Sequence, residues 1–398
     1  MIKVLFIKSG LSIGGTTSSF LALLNALRNT EQIEVSAWVN GADKVSLPPH
    51  VNVIENTDLE YAFFRKKSTI GKVADLFRYR TIIPYLKSKI WKGRSQTTLI
   101  PVYQEMDIRK AKRVQKVDLL EFDVVITWEE LYPAYLLSEA VKARRKIAWI
   151  HPDYIQCGFS PEIDKEAFAK LDRLIAVSEQ GKKSMQMALP ILAKKIRYIP
   201  NCVNLFDVYE KAKASADELD ELHFTLMTVA RLQNISKAID RAVRIAGRLK
   251  AEGCRFKWYF VGDGEDRGAI EKMIVSLGLE DCVILLGEKT NPYPYIKAAD
   301  LFVLQSYYEG KPVTVDEALI LGTPVLVTDY ASAKEQVDEQ YGWIVQNDEK
   351  AIYQQLKQLI DHPQRVWNKK KVLKAMDASP YESPEMFITM LKEVILSC

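Results

Sequence analysis

The segment YYEGKPVTVDEALILGTPVLVTD carries two carboxylates, Glu309 and Glu317, in a largely apolar neighbourhood. Pro312 suits the first position of a helix, where a missing N–H costs nothing. Glu309 therefore ends the loop after the apolar run LFVLQS, a helix starts near Pro312, and Glu317 lies inside it. The pair flanks a helix N-terminus, whose free N–H groups and dipole favour anions. Carboxylates so placed can bind hydroxyl groups carried beside a phosphate. Two solvated surface carboxylates are the plainer alternative.

Other residues could take part in such chemistry. In TVARLQNISKAIDRAV, Arg231 and Lys237 bracket a short polar loop between a strand and a helix that begins near Lys237. Two cations beside a helix N-terminus suit a diphosphate; alone, they read as solvated charges. In SGLSIGGTTSSFLALL, Gly14 and Gly15 allow close approach of the backbone to a ligand, and Thr16–Ser19 can cap the next helix. A simple tight turn explains the glycines equally well, and they match neither the dinucleotide nor the P-loop fingerprint. His151, in WIHPDY, follows an apolar strand that Pro152 ends; it is either a reactive group or a satisfied structural histidine.

These residues must be positioned by a repeated pattern of apolar runs alternating with helix-length segments, the signature of parallel sheets covered on both faces. In the first half the runs are IKVLFIKS, VSAWVN, FDVVITW, KIAWIHP, RLIAVS and KIRYIPN; in the second they are HFTLMTVA, KWYFVGDG, CVILLG, LFVLQS, PVLVTD and GWIVQ. The expected fold is α/β with two doubly wound Rossmann-like domains facing across a cleft, and ligands at the carboxyl ends of the strands. The expected divisions are 1–205, a linker at 206–222, a second domain at 223–375, and a C-terminal helix at 376–398 packing back across the domains.

Composition fits this plan. The chain has 398 residues, 48% hydrophobic and 27% charged, enough for two or three domains. Its net charge is +4, but residues 65–116 hold 15 Lys and Arg against three acids, +12 locally and −8 for the remainder. Phe77, Tyr79, Tyr85 and Trp91 are interleaved with those cations, as in a helix lying in an anionic membrane interface; a solvated charged face is the alternative. No nucleic-acid module is recognised. The five scattered cysteines have no metal-ligand or redox spacing and read as reduced thiols of a cytoplasmic protein. The apolar start is too short for a signal peptide or membrane span.

Taken together, the Glu309/Glu317 spacing, VARL followed by Lys237, VGDGED, AADLFVLQSYYEG and ALILGTPVLVTD resemble the nucleotide-sugar-binding half of the GT-B glycosyltransferases, specifically glycosyltransferase family 4. IGGTTSSFLALLNAL, WIHPDY, LIAVSE and IPNCVN are similar to segments of that family's first half. The resemblance covers nearly the whole chain and is strongest over 223–345. It implies that Arg231 and Lys237 hold the donor diphosphate and neutralise the leaving group, that Glu309 binds donor-sugar hydroxyls, and that Glu317 binds the ribose. It further implies donor contacts from Gly310, Lys311, Pro312, Val313 and Thr314, a nucleobase turn at Gly287, Glu288 and Lys289, phosphate closure by Gly14 and Gly15, and His151 beside the reacting face of the sugar.

The resemblance thus implies a retaining hexosyltransferase using a UDP-linked sugar as co-substrate, with a glycan or polyprenyl-diphosphate-linked acceptor of a bacterial surface polysaccharide. No cofactor or metal is expected, the sequence having no D-x-D pair, and no nucleic-acid partner. Membrane contact through 65–116 would place the protein in the cytoplasm, peripheral at the inner face of the cell membrane. Lys311 stands where an apolar residue is more usual, which bears on the sugar, and YASAKEQV lacks the common glycine pair before Glu335. A sugar-nucleotide epimerase or phosphorylase on the same architecture, or a catalytically silent partner subunit, are the competing readings.

Overall fold

The computed structural model describes residues 1–39, 47–63, 82–84, 86, 96–220 and 222–396. The chain divides into two compact units, Met1–Cys202 with Ser383–Cys398, and Val203–Glu382.

The main sheet of the first unit contains β1 (Ile2–Lys8), β2 (Ile33–Val39), β3 (Asn52–Val53), β4 (Val124–Thr127), β5 (Lys146–Ile150), β6 (Arg173–Ala176) and β7 (Ile196–Tyr198). Its order is β3-β2-β1-β4-β5-β6-β7, all parallel, with Val4 opposite both Val35 and Val124. Val4–Ile7 and Val124–Ile126 are fully buried, because helices cover both faces and no position alternates out to water. The second unit repeats the plan with β8 (Phe224–Val229), β9 (Phe256–Val261), β10 (Val283–Gly287), β11 (Leu301–Leu304), β12 (Val325–Thr328) and β13 (Gly342–Val345), in the order β10-β9-β8-β11-β12-β13. In both units the strand order reverses at the first strand, the topological switch point where doubly wound sheets bind ligands.

The domain divisions differ from those expected. The acidic segment 206–222 is not a free linker. Leu205–Lys211 is helical, Val208 and Ala212 are buried in the second core, the Asp220 N–H donates to the Tyr259 hydroxyl at 2.9 Å, and Val203 donates to the Tyr381 carbonyl at 2.7 Å. Few apolar side chains anchor it, so it shows no apolar period. Nor does the second unit end at 375; it runs to Glu382. The final helix, Glu385–Leu396, belongs to the first unit, where Phe387, Met390, Leu391 and Val394 sit in the core with Phe6, Trp128 and Trp149. That spacing of three, four and seven residues is one helical face.

Of the basic stretch 65–116, residues 96–116 and a few of 82–86 are described, beginning with the helix Gln96–Ala111. Phe77, Tyr79, Tyr85, Trp91 and the cations between Arg65 and Arg94 lie outside the described residues, as does Cys398. Among the described residues, no helix is long and apolar enough to cross a membrane.

Candidate functional site

In the second unit, the charged residues gather after β8 and β11. After β8 the chain forms one helical turn, Asn234–Lys237, then Ala238 in the left-handed region (φ 52°), then the helix Ile239–Ala251. The main helix thus begins after Lys237 and not at it. Arg231 is exposed on the loop. The loop is seated closely on the glycines of VGDGED: a Cβ on Gly262 (φ +140°) would lie 2.1 Å from the Ala230 carbonyl oxygen, and one on Gly264 2.4 Å from that of Leu232. Those glycines are required by contact with the backbone that bears Arg231. Gly287 (φ +74°) completes the layer by accepting from the Gly262 N–H at 2.8 Å.

After β11 comes the loop that holds Glu309. The Lys237 ammonium donates to Glu309 Oε1, and Ser306 Oγ donates to the same oxygen at 2.6 Å. Both members of the ion pair remain partly accessible, Lys237 at 24% and Glu309 at 10% of the side chain, so an incoming anion can compete for the ammonium. The helix that follows is Val313–Ile320, with Pro312 at the cap position, one residue earlier than its expected place. Gly310, Lys311 and Thr314 are half-buried on this turn; Pro312 and Val313 are buried. Glu317 lies inside the helix and is buried, accepting a hydrogen bond from the Tyr293 hydroxyl at 3.1 Å. Burial, opposed in part by the Tyr293 hydrogen bond and reinforced by neighbouring Asp316, pushes its carboxyl up to about 8. A Glu317 without ligand therefore holds a proton at neutral pH.

The N-terminus of this helix is held by Gln336, which donates to the Pro312 carbonyl and to Asp316 Oδ1, both at 2.8 Å, and accepts from the Tyr330 hydroxyl. The neighbouring Glu335 is exposed. In the turn expected to line a nucleobase, Glu288 is exposed, whereas the Lys289 ammonium is bound to Glu218 at 2.9 and 3.0 Å, the carboxylate also accepting from Tyr295.

In the first unit, Gly14 (φ 154°) caps the helix Gly15–Ala26. The expected capping by Thr16–Ser19 is not observed: no side chain caps the helix, and the Ser19 hydroxyl turns back to the Thr16 carbonyl. Nothing lies within 4 Å of where a Gly14 Cβ would stand, so here glycine serves the backbone angle and leaves open space. His151 follows the end of β5, half-buried, with Nε2 2.8 Å from the Trp128 carbonyl. A carbonyl only accepts, so Nε2 carries the proton and Nδ1 is left as an acceptor. Burial, against the Trp128 hydrogen bond, lowers its pKa to about 4, and the imidazole is neutral at neutral pH.

Sequence reasoning missed the charges beside His151. Lys8, 1% exposed, ends β1 and donates to Glu129 Oε1 at 2.7 Å; Ser9 meets the other oxygen through its N–H, at 2.9 Å, and its hydroxyl. Burial raises the Glu129 carboxyl, but Lys8 and Ser9 outweigh it and bring it below the usual range. The next residue, Glu130, is shifted upward by burial and accepts from the His151 N–H at 3.4 Å. A lysine at the end of the wholly apolar run VLFI, and two glutamates just after VVITW, were the available signals.

The structure therefore brings Lys237, Glu309 and Ser306 together, places Glu317 against Tyr293, and leaves Arg231 exposed. Residues 223–362 match the family model described as Glycosyl transferases group 1. The chain is 25% identical over 283 residues to the uncharacterized glycosyltransferase MJ1059 of Methanocaldococcus jannaschii, covering 64% of this chain and 68% of that protein. Over 197 residues it is 26% identical to the N-acetylgalactosamine-N,N'-diacetylbacillosaminyl-diphospho-undecaprenol 4-alpha-N-acetylgalactosaminyltransferase of Campylobacter jejuni, covering 49% of this chain and 52% of that enzyme. It thus spans about two thirds of the first relative's length and half of the second's. Among solved structures, Anabaena Alr3699/HepE in complex with UDP and glucose matches 99% of this chain and 100% of its own, with a TM-score of 0.67 at 16% identity. That likeness shows the fold, the pair of Rossmann-like sheets termed GT-B. With the match over 223–362, it supports a GT-B glycosyltransferase.

Proposed function

We propose that this chain is a retaining glycosyltransferase of family 4 type. It moves a sugar from a UDP-linked donor to a lipid-linked glycan during synthesis of a bacterial surface polysaccharide. The observation that carries the reading is the partly accessible Lys237–Glu309 ion pair at the carboxyl edge of the second sheet. A diphosphate takes the ammonium, and Glu309, released from it, accepts from hydroxyls of the sugar. Arg231 supplies a second cation to the phosphates, and Glu317 meets the ribose. As the glycosidic bond breaks, negative charge grows on the diphosphate, so fixed cations stabilise the transition state more than the bound donor. The acceptor attacks from the side the diphosphate leaves, and the departing phosphate oxygen takes its proton; no protein nucleophile and no metal enters this scheme. His151 Nδ1 accepts from a hydroxyl at the reacting face.

The similarity to the Campylobacter transferase, whose name specifies a diphospho-undecaprenol-linked acceptor, supports a polyprenyl-diphosphate acceptor here. The excess of cations in 65–116 supports peripheral attachment to an anionic membrane surface at its cytoplasmic face. Vesicle co-sedimentation at low salt, lost on charge reversal of Lys87, Lys89, Lys92 and Arg94, tests the attachment.

Calorimetry tests the donor assignment. Wild type binds UDP and a UDP-sugar, and Glu317→Ala weakens both, whereas Glu309→Ala weakens only the UDP-sugar. Equal losses on UDP alone would remove the distinction between sugar and ribose carboxylates. Turnover unchanged by EDTA is expected; restoration of lost turnover by a divalent ion would contradict the metal-free scheme.

A further inference from the structure

Arg241 is 3% exposed on the helix that follows Lys237, and among the described residues no carboxylate lies within ion-pair distance of it. The adjacent acids are taken: Asp240 and Glu349 both pair with Arg244 at 2.8 Å. The Arg241 guanidinium donates instead to the Gln305 carbonyl, to Asn347 Oδ1 at 2.9 Å and to the Asn347 carbonyl at 3.3 Å, and it lies 4.4 Å from the centre of the Tyr307 ring. A buried cation without a counter-charge is a poor source of stability; an apolar side chain of the same volume commonly does as well or better. Its geometry suits another role.

Each end of that contact leads to the charged pair. Gln305 Nε2 donates to the Lys237 carbonyl at 3.0 Å, and the Tyr307 N–H donates to the Ser236 carbonyl at 2.8 Å. The Ser306 carbonyl accepts from Thr328 at 2.6 Å and from Asn347 Nδ2 at 3.3 Å, while the Tyr307 carbonyl accepts from Asn347 Nδ2 at 2.7 Å. Three successive carbonyls, Gln305 to Tyr307, are thereby fixed just ahead of Glu309, and the guanidinium fork joins the first of them to Asn347 and to the helix that follows the Lys237 turn. Arg supplies several donors in one rigid plane, which a lysine cannot reproduce.

We infer that Arg241 is a positioning residue: it fixes the register between the Lys237 turn and the Ser306–Glu309 loop, and so the part of the site that handles the sugar and the leaving diphosphate. It does so without holding the nucleoside end at Glu317. This inference rests on the donor reading given above for its kinetic consequences, but not for the mechanical coupling itself.

The experiment uses Arg241→Met and Arg241→Lys, each alone and combined with Glu309→Gln. Misplacement by about 1 Å can cost up to roughly a hundredfold in rate. Expected for both single variants is a fall in kcat of about tenfold or more, with the UDP dissociation constant within about twofold of wild type and Arg241→Lys not restoring the rate. Arg241→Met should add little to the kcat loss of Glu309→Gln, because the Lys237–Glu309 geometry it sets is already lost there. A folded Arg241→Met protein with wild-type kcat, or one whose kcat and UDP affinity fall together, would overturn the inference. Thermal unfolding of wild type, Arg241→Met, Glu309→Gln and their double variant supplies a readout independent of any donor: the Tm shifts of Arg241→Met and Glu309→Gln should be non-additive. Additive shifts overturn the coupling whatever the substrate proves to be. A wild type that ignores UDP while its Tm shifts remain non-additive would leave the coupling standing and remove the donor reading instead.

Discussion

The two units share one strand order yet treat charge at their carboxyl edges in opposite ways. In the first, Lys8 is sealed against Glu129, whose other oxygen Ser9 holds, and His151 is kept neutral by burial with its Nε2–H given to a carbonyl; what remains is an accepting nitrogen and a glycine cap. That edge suits neutral hydroxyl groups. In the second, Arg231 is exposed and Lys237 is bound to a partner that is itself partly accessible, an arrangement an anion can displace. The same topology therefore carries two different arrangements of charge, which are set by the side chains placed on it. Backbone strain repeats the parallel. Among the described residues only Leu131 (φ 58°) and Ala238 (φ 52°) are non-glycines at positive φ, and each directly follows the charged residues of its own edge.

The largest break in this comparison should come from Lys237. Loss of one fixed charge donor facing a developing anion costs on the order of 10²–10³ in turnover. Steady-state kinetics of Lys237→Ala should show that loss, with donor affinity falling less, and Lys237→Arg should recover little of it. Near-normal turnover would return Lys237 to the surface charges.

The glycine loops sharpen the contrast next. Gly262→Ala must accommodate both a positive φ and a Cβ 2.1 Å from a carbonyl oxygen, and should destabilise by roughly 3 kcal/mol or more. Gly14→Ala meets the angle but no atom, so roughly 1 kcal/mol is expected. Urea denaturation of the two variants decides it, and similar losses would mean that contact with the Arg231 loop is not what fixes Gly262.

Most of the sheet scaffold could be read from sequence because strands buried on both faces appear as unbroken apolar runs, such as VLFI in β1 and LFVL in β11. Chemistry carried by residues near in sequence was similarly visible: Glu309 and Glu317 bracket one helix start. What was hidden is non-local. Arg241, Gln305 and Asn347 meet only after folding brings three connections together, and each alone looks unremarkable. The 206–222 segment was misread because its acids dominate its composition, whereas its attachment depends on Val208, Ala212 and a few hydrogen bonds. Thr16–Ser19 looked like a cap because hydroxyl residues favour that position, but Gly14, at a φ of 154°, takes it.

A subtler contrast lies in pH dependence. His151 titrates at about 4 in the folded chain against an ordinary 6.5. Between those values the unfolded chain binds the proton and the folded one does not, so this group's contribution to stability is lost as pH falls from about 6.5 to 4. Glu317 runs the other way. Its folded value of about 8 lies above an ordinary 4.5, so the folded chain binds the proton more tightly and stability declines as pH rises from about 4.5 to 8. His151→Asn should flatten the acid side of a Tm–pH profile, and Glu317→Gln the side running up to pH 8. A profile unchanged in either variant would contradict the corresponding burial effect.

The smallest effect is expected at Ala238, where opposing terms nearly cancel. The left-handed conformation costs an L-residue roughly 1–2 kcal/mol, and Ala238→Gly would relieve that. The methyl group is fully buried, however, and losing it forfeits about 0.8 kcal/mol of burial. Glycine also adds roughly 0.4–1 kcal/mol of freedom to the unfolded chain. The net change should stay within about 1 kcal/mol of zero, whereas Ala238→Val, with a β-branched side chain ill suited to positive φ, should destabilise clearly. Urea denaturation measures both. Because Ala238 links the Lys237 turn to the helix bearing Arg241, turnover supplies a second test: a near-isoenergetic Ala238→Gly with reduced kcat would mean that the alanine limits the motion of Lys237. Equal kcat and a stability loss above about 2 kcal/mol would instead assign its role to packing, and strain beside the charged edge would then have no part in the difference between the two units.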